Sequence, residues 1–173
     1  MNDKTIAVLA ELDPEKTREN YGRMAWILAR SSGAQRALAI GTVDGYTTIW
    51  LTDAISESDG SVLTVESDET QAAAARSSVD RAGLEGYVEV RHEGANTTLA
   101  EYEDNYWDIV VLNACDDPLR LWYDIRRTLR PRGLLVVGPS PEFEGLLEEI
   151  SADPSFVASR IGAELLVVYN HES

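Results

Sequence analysis

Arg36-Ala-Leu-Ala-Ile-Gly-Thr-Val-Asp-Gly-Tyr-Thr-Thr48 reads as a buried strand, a glycine-bearing turn and the start of a helix. A second strand, Ser61-Val-Leu-Thr-Val-Glu66, follows and closes on an acid. A strand that feeds a glycine turn at a helix N-terminus is how α/β sheets hold a polar ligand. An acid at the end of the next strand is placed to take the two hydroxyls of a ribose. Together the two stretches predict a site for a nucleoside-containing ligand.

The spacing of the glycines narrows the choice. A dinucleotide turn is G-x-G-x-x-G, whose middle glycine lets the backbone approach a pyrophosphate. Val43 stands at that middle position, and the pattern is Gly41-x-x-x-Gly45. This argues against NAD and FAD. No G-x-x-x-x-G-K-[ST] run is present, which argues against a P-loop. S-adenosylmethionine, which has no phosphates to cradle, is the remaining common nucleoside ligand for such a turn.

Outward from these two strands, the chain alternates strand and helix. Asp13-Pro14-Glu15 has the form of a helix start, and Tyr21, Met24, Ala25 and Leu28 recur at helical spacing until Ser31-Ser32-Gly33. The first strand covers Ala37 to Ile40, and a helix runs from Tyr46 to Ile55. Ser67-Asp68-Glu69 begins a helix that stops at Gly83. Val88 to Arg91 is a strand. Trp107 to Leu112 is an apolar run broken only by Asp108, suited to a parallel strand covered on both faces. Pro118 to Leu129 reads as a helix, Leu134 to Val137 as a strand and Glu142 to Ile150 as a short helix. Phe156 to Ile161 and Glu164 to Tyr169 form a terminal antiparallel pair. The expected class is α/β, a Rossmann-like, doubly wound, mostly parallel sheet. One domain over residues 1–173 is expected, with an N-terminal helical segment over 1–33 and an α/β core over 36–170.

Composition sets outer limits. The 173 residues suffice for one domain with a core. A net charge of −15, from 30 acids and 15 bases, repels nucleic acid, so no nucleic-acid partner is expected. The acidity fits either life in high salt or a genome that prefers arginine to lysine, and a melting temperature measured against KCl separates the two. No apolar run approaches the ~20 residues of a membrane span, and the N-terminus lacks signal-peptide regions. The single cysteine, Cys115, leaves no internal disulfide and no cysteine-cluster metal site. A cytoplasmic location with no membrane partner is the expectation.

These residues resemble the class I S-adenosylmethionine-dependent methyltransferases, closest to the small bacterial O-methyltransferases related to catechol O-methyltransferase. The match runs through Ala39-Ile-Gly-Thr-Val-Asp-Gly-Tyr-Thr-Thr-Ile-Trp-Leu51, Glu66-Ser67-Asp68 and Leu129-Arg-Pro-Arg-Gly-Leu-Leu135. The resemblance implies a seven-stranded sheet with an antiparallel last strand. It implies S-adenosylmethionine as cofactor, S-adenosylhomocysteine as product and a small-molecule acceptor. Its cofactor-binding positions fall on Gly41, Thr42, Gly45, Tyr46, Thr47, Glu66, Ser67, Glu93, Gly94, Ala95 and Asn113. Members often dimerise, and the segment from Glu15 to Arg30 offers a surface for a homodimer. The chain lacks the long N-terminal extension and insert that often shape an acceptor pocket in such folds.

The departures are specific. Ala39 replaces the family's acid before Ile-Gly-Thr. Glu93-Gly94-Ala95 replaces Gly-Asp-Ala, moving the acid one position early. Asn113, Gly138 and Pro139 stand where metal-dependent members carry their Mg²⁺ ligands. Magnesium needs hard oxygen donors in near-octahedral array, usually with one or two carboxylates. One neutral amide and two side chains without donors do not provide that, so no metal site is expected.

Each position also has an ordinary structural explanation. Gly41 and Gly45 serve equally as turn glycines with positive φ, Tyr46 as a packing aromatic and Glu93 as a solvated acid. Asp116 is the candidate general base and Asp117 a helix cap. His92 is expected to be structural, Cys115 a packed small side chain, and Trp107 and Trp122 core or interface residues. The acids from Glu142 to Glu149 read as a solvated face. Three functions stay open: a metal-free O-methyltransferase, a cofactor-binding protein on the same fold without turnover, and an interaction subunit that binds no nucleoside.

Overall fold

The computed structural model describes residues 1–162 and 165–171, with the side chains of residues 142 and 144 not described. Seven strands form one sheet in the order β3-β2-β1-β4-β5-β7-β6. They are β1 (Arg36–Ile40), β2 (Ser61–Glu66), β3 (Val88–His92), β4 (Trp107–Leu112), β5 (Leu129–Val137), β6 (Phe156–Ile161) and β7 (Leu165–Asn170). β1 to β5 pair in parallel, and β7 runs antiparallel between β5 and β6. The expected doubly wound α/β sheet with an antiparallel last strand is therefore present. The expected start of that strand at Glu164 lies outside the described residues.

Alternation along β1 divides the core. Leu38 and Ile40 point to one face, where they meet Val110, Leu112, Val137, Leu121, Trp122 and Ile125. Ala37 and Ala39 point to the other, where small side chains let helices approach closely. The first face is covered by α5 (Ala95–Ala100), α6 (Pro118–Thr128) and α7 (Glu144–Ser151). α2 (Glu19–Ser31) and α3 (Tyr46–Ser56) cover the second, flanked by α1 (Asp3–Leu12) and α4 (Glu69–Ala82). All six residues of β4 are buried, as a central parallel strand requires. Burying each large aliphatic side chain contributes ~1.5–3 kcal/mol before entropy is counted. Ala39 is fully buried among Ala25, Ala29 and Leu51, so the position where the family carries an acid is an apolar core position here. Among the described residues no helix is long and apolar enough to cross a membrane.

Most elements fall where the residues predict them, with three corrections. Asp13 does not start a helix. Its carboxylate accepts hydrogen bonds from the backbone N–H groups of Thr17 and Arg18, at 2.9 and 2.8 Å, and so organises a loop instead. The helix begins at Glu19, and a separate helix, α1, precedes the loop, capped by the Asn2 side chain. The short α5 after β3 is the second correction, because Gly94 caps it without a side-chain bond and leaves no sequence signal. Third, β5 begins five residues before the expected Leu134, and Arg132 at φ 66° bends it.

Candidate functional site

The carboxyl ends of β1 and β2 meet at a cavity of about 490 Å³. In sheets of this topology ligands bind outside the carboxyl ends of the strands, where the order reverses, and that reversal lies here between β1 and β4. Glu66, Asp68, Glu93, Asp116 and Asp117 bring carboxylates to the cavity wall, and Gly41, Ser67 and Asn96 add backbone and polar groups. A second cavity, of about 360 Å³, lies away from the strand ends between α1, α2 and α3.

Glu66 is the most constrained of these groups. It is only 5% exposed although it ends a strand. One carboxylate oxygen accepts the Val43 N–H at 3.1 Å and the other accepts the Asp68 N–H at 3.3 Å. A carboxylate has about four lone-pair sites, so two acceptor sites remain for donors from the cavity. The same side chain thereby fixes the turn after β1, where Val43 is held at φ 60°.

The turn glycines have separate reasons. A Cβ on Gly41 would lie 2.2 Å from the carbonyl oxygen of Ala114, so only glycine lets β1's end pass the loop after β4. Gly45, at φ 87°, packs on Ala75 of α4, with 3.1 Å left for a Cβ. Both therefore meet their structural explanation, and Gly41 in addition leaves backbone facing the cavity.

Glu93, Gly94 and Ala95 line the end of the cavity beside β3. The Glu93 carboxylate accepts a short hydrogen bond from the Thr98 hydroxyl and lies 4.0 Å from the Arg91 guanidinium. Asp116 is exposed on the rim next to Cys115. Asp117 caps α6 by accepting the Arg120 N–H at 3.1 Å, as expected from its place before Pro118. His92 is exposed, with Nε2 3.1 Å from the Ser67 carbonyl.

Five positions named from the sequence, Thr42, Gly45, Tyr46, Thr47 and Asn113, do not line this cavity. Thr42 is buried, and its hydroxyl joins those of Thr48 and Thr64 in a chain at 2.8 and 2.9 Å. Thr47 donates to the Asn113 side-chain oxygen at 3.1 Å, and the Asn113 amide reaches the Ile40 carbonyl at 3.3 Å. Tyr46 is 2% exposed, with the Arg18 guanidinium 4.4 Å above its ring. Arg18 also grips Asp44 through two bonds of 3.0 and 2.9 Å. These residues fix the turn from behind. Gln71, Asn96 and Thr97 do line the cavity and carry no motif of their own, although their places just after strand ends were a usable signal.

The residues at the ends of β4 and β5 do not suit a magnesium ion. The Asn113 oxygen already accepts from Thr47, and Gly138 and Pro139 offer no side-chain donor. Among the described residues, no three of His, Cys, Asp and Glu cluster in a way that could hold a metal ion.

A buried carboxylate at one strand end, an acid at the next and close-approach backbone between them line one cavity. A bulky anion is disfavoured by the five acidic residues of the lining. The chain is 30% identical over 145 residues to a catechol O-methyltransferase of Niastella koreensis, covering 82% of this chain and 65% of that protein. It is 30% identical over 151 residues to a catechol O-methyltransferase of Mycobacterium tuberculosis, covering 87% and 68%. The chain thus spans about two thirds of the length of these curated relatives. In fold it matches the O-methyltransferase from Bacillus cereus, whose crystal structure is a complex with SAH, at a TM-score of 0.78, 24% identity and 99% and 92% coverage. The family model for O-methyltransferases matches residues 4–156, and the chain belongs to that O-methyltransferase family.

Proposed function

We propose that this chain is an S-adenosylmethionine-dependent methyltransferase that methylates an oxygen of a small-molecule acceptor without a metal ion. The observation that carries the reading is the buried Glu66 carboxylate, with acceptor capacity to spare, on the wall of the cavity beside Gly41. When bound, S-adenosylmethionine supplies an electrophilic methyl on a sulfonium and is left as the thioether S-adenosylhomocysteine.

The chain's own residues do the rest. Glu66 accepts the two ribose hydroxyls, as its end-of-strand position allows. Ser67, Glu93, Gly94 and Ala95 border the heterocycle, and Glu93 is the acceptor for its amino group. Gly41 lets backbone approach the ligand. Thr42, Gly45, Tyr46, Thr47 and Asn113 hold the turn in shape from behind. Asp116 takes the proton that leaves the acceptor hydroxyl as its oxygen bonds to the methyl carbon. Holding the two reactants in line contributes much of the rate.

The second reading, binding without turnover, draws on the same site. It is favoured by the neutral residues at 113, 138 and 139 and by the core position of Ala39. The homodimer through Glu15 to Arg30 belongs to the proposal too: Ile27 of α2 is 51% exposed, and sedimentation equilibrium measures it.

Titration with S-adenosylhomocysteine, with EDTA and with Mg²⁺, tests the reading. Ligand at ~100 times Kd should add ~2.7 kcal/mol of stability in both buffers. No heat and no thermal shift sink it. Binding followed by no turnover on a panel of phenols and amines selects the second reading. In an active protein, Asp116→Asn should lower kcat ~100-fold or more while Kd for the thioether stays unchanged.

A further inference from the structure

The ribose and heterocycle positions of the proposed function occupy the β2 and β3 side of the crevice. An acceptor therefore approaches over the ends of β4 and β5. Beside β5 that space is filled in this chain. Tyr21 of α2 reaches into it, 9% exposed, and its hydroxyl donates to the Leu112 carbonyl at the end of β4, at 3.4 Å. A Cβ on residue 138, at the end of β5, would lie 3.3 Å from both Cζ and Oη of Tyr21. Gly138 itself donates its N–H to the same Leu112 carbonyl at 2.8 Å. The ring and the absent side chain at 138 fill one another's space, and any carboxylate-bearing residue at 138 would begin against the phenol. Burial pushes the Tyr21 phenol above its ordinary range, so the group stays a neutral donor.

We propose that Tyr21 is a specificity-determining residue, whose ring takes the place of a metal ion and its carboxylate ligand and so confines the acceptor to molecules that present a single nucleophilic atom. Vicinal hydroxyl pairs, which bind productively by chelating a cation, meet no ligand set for that cation at residues 113, 138 and 139. The inference rests on the methyltransferase reading and adds the acceptor class to it.

The test compares the chain bearing Asn113→Asp, Gly138→Asp and Pro139→Asn with the same chain also bearing Tyr21→Ala, each saturated with S-adenosylhomocysteine. Magnesium binding is measured by calorimetry and manganese binding by electron paramagnetic resonance. The protein lacking Tyr21 should bind the metal about tenfold or more tighter than the one that keeps it. Equal affinity, or no metal bound by either, overturns the proposal. Should the Tyr21→Ala protein not fold, the wild-type chain decides. Methylation of simple phenols insensitive to EDTA, with no methylation of catechol, supports the proposal. Mg²⁺-stimulated methylation of catechol overturns it. Failure of the wild-type chain to bind S-adenosylhomocysteine at all is a separate result, which removes the underlying function.

Discussion

Replacing Glu66 with alanine separates ligand binding from fold stability at one position. In the free protein the carboxylate accepts from the Val43 and Asp68 N–H groups. Val43 is 43% exposed and Asp68 is exposed, so water can replace the lost acceptor at both. The expected stability loss is therefore at the low end for orphaned donors, ~1 kcal/mol. The ligand loses more. Two hydroxyl bonds to a buried carboxylate contribute ~1.5 kcal/mol or more each. Their loss totals ~3 kcal/mol, or ~150-fold in Kd. Urea melts of the free protein and calorimetric titration with S-adenosylhomocysteine read the two quantities independently. Glu66→Gln should fall between, because its amide can serve Val43 but turns a donor toward Asp68. A folded Glu66→Ala protein whose Kd stays within about threefold of wild type, ~0.7 kcal/mol, would refute the reasoning.

Gly41→Ala should destabilise the fold by at least ~2 kcal/mol, since φ is 67° and the new methyl meets the Ala114 carbonyl. Urea unfolding checks it, and a loss under ~0.5 kcal/mol contradicts the close approach. Asp108 accepts the Gln35 and Arg36 N–H groups at 2.7 and 2.8 Å and pairs with Arg130 at 2.6 Å, at the opposite end of the sheet from the cavity. Asp108→Ala should therefore cost ~3 kcal/mol of stability and leave the thioether Kd unchanged at saturating fold. Burial pushes the Asp13 carboxyl up, but the hydrogen bonds from Arg18 and Thr17, with the Arg18 charge, outweigh it and hold the carboxyl below its ordinary value. A lowered carboxyl stabilises the fold above the unfolded-state value of about 4 and loses that contribution as pH falls through the folded value. Asp13→Asn should accordingly be less stable than wild type at neutral pH, with the gap shrinking in urea melts at about pH 3 and below.

The sheet was legible because its signals are local and repeated. The mostly apolar β4, the Asp68 cap with Gly83 closing α4, and the Asp117-Pro118 start of α6 each depend on neighbours in sequence. Asp13-Pro14 misled because the residues that make a helix cap also make a loop. A carboxylate followed by free N–H groups organises either, and here Asp13 takes the Thr17 and Arg18 N–H groups while Arg18 donates to the Leu12 carbonyl at the end of α1. The site was legible only in part, for a related reason. Glu66, Glu93 and Gly41 are placed by strand ends and could be read directly. Thr42, Thr47 and Asn113 stand just as close in sequence, yet Thr42 spends its hydroxyl on Thr48, and Thr47 and Asn113 spend theirs on each other and on Ile40 of β1. Whether a polar group near a turn faces a ligand or its own protein depends on contacts across tens of residues, such as Thr47 with Asn113. Tyr21 shows the same limit: its helical spacing announced a buried face, but not that the ring would lie against Gly138.

The most direct measurement is a crystal structure of the wild-type chain with S-adenosylhomocysteine. The account predicts both ribose hydroxyls within ~2.5–3.0 Å of the Glu66 carboxylate oxygens, with the heterocycle beside Gly94 and Ala95. A ligand bound elsewhere, or a cavity left empty at saturating concentration with Glu66 engaged only by Val43 and Asp68, would contradict it.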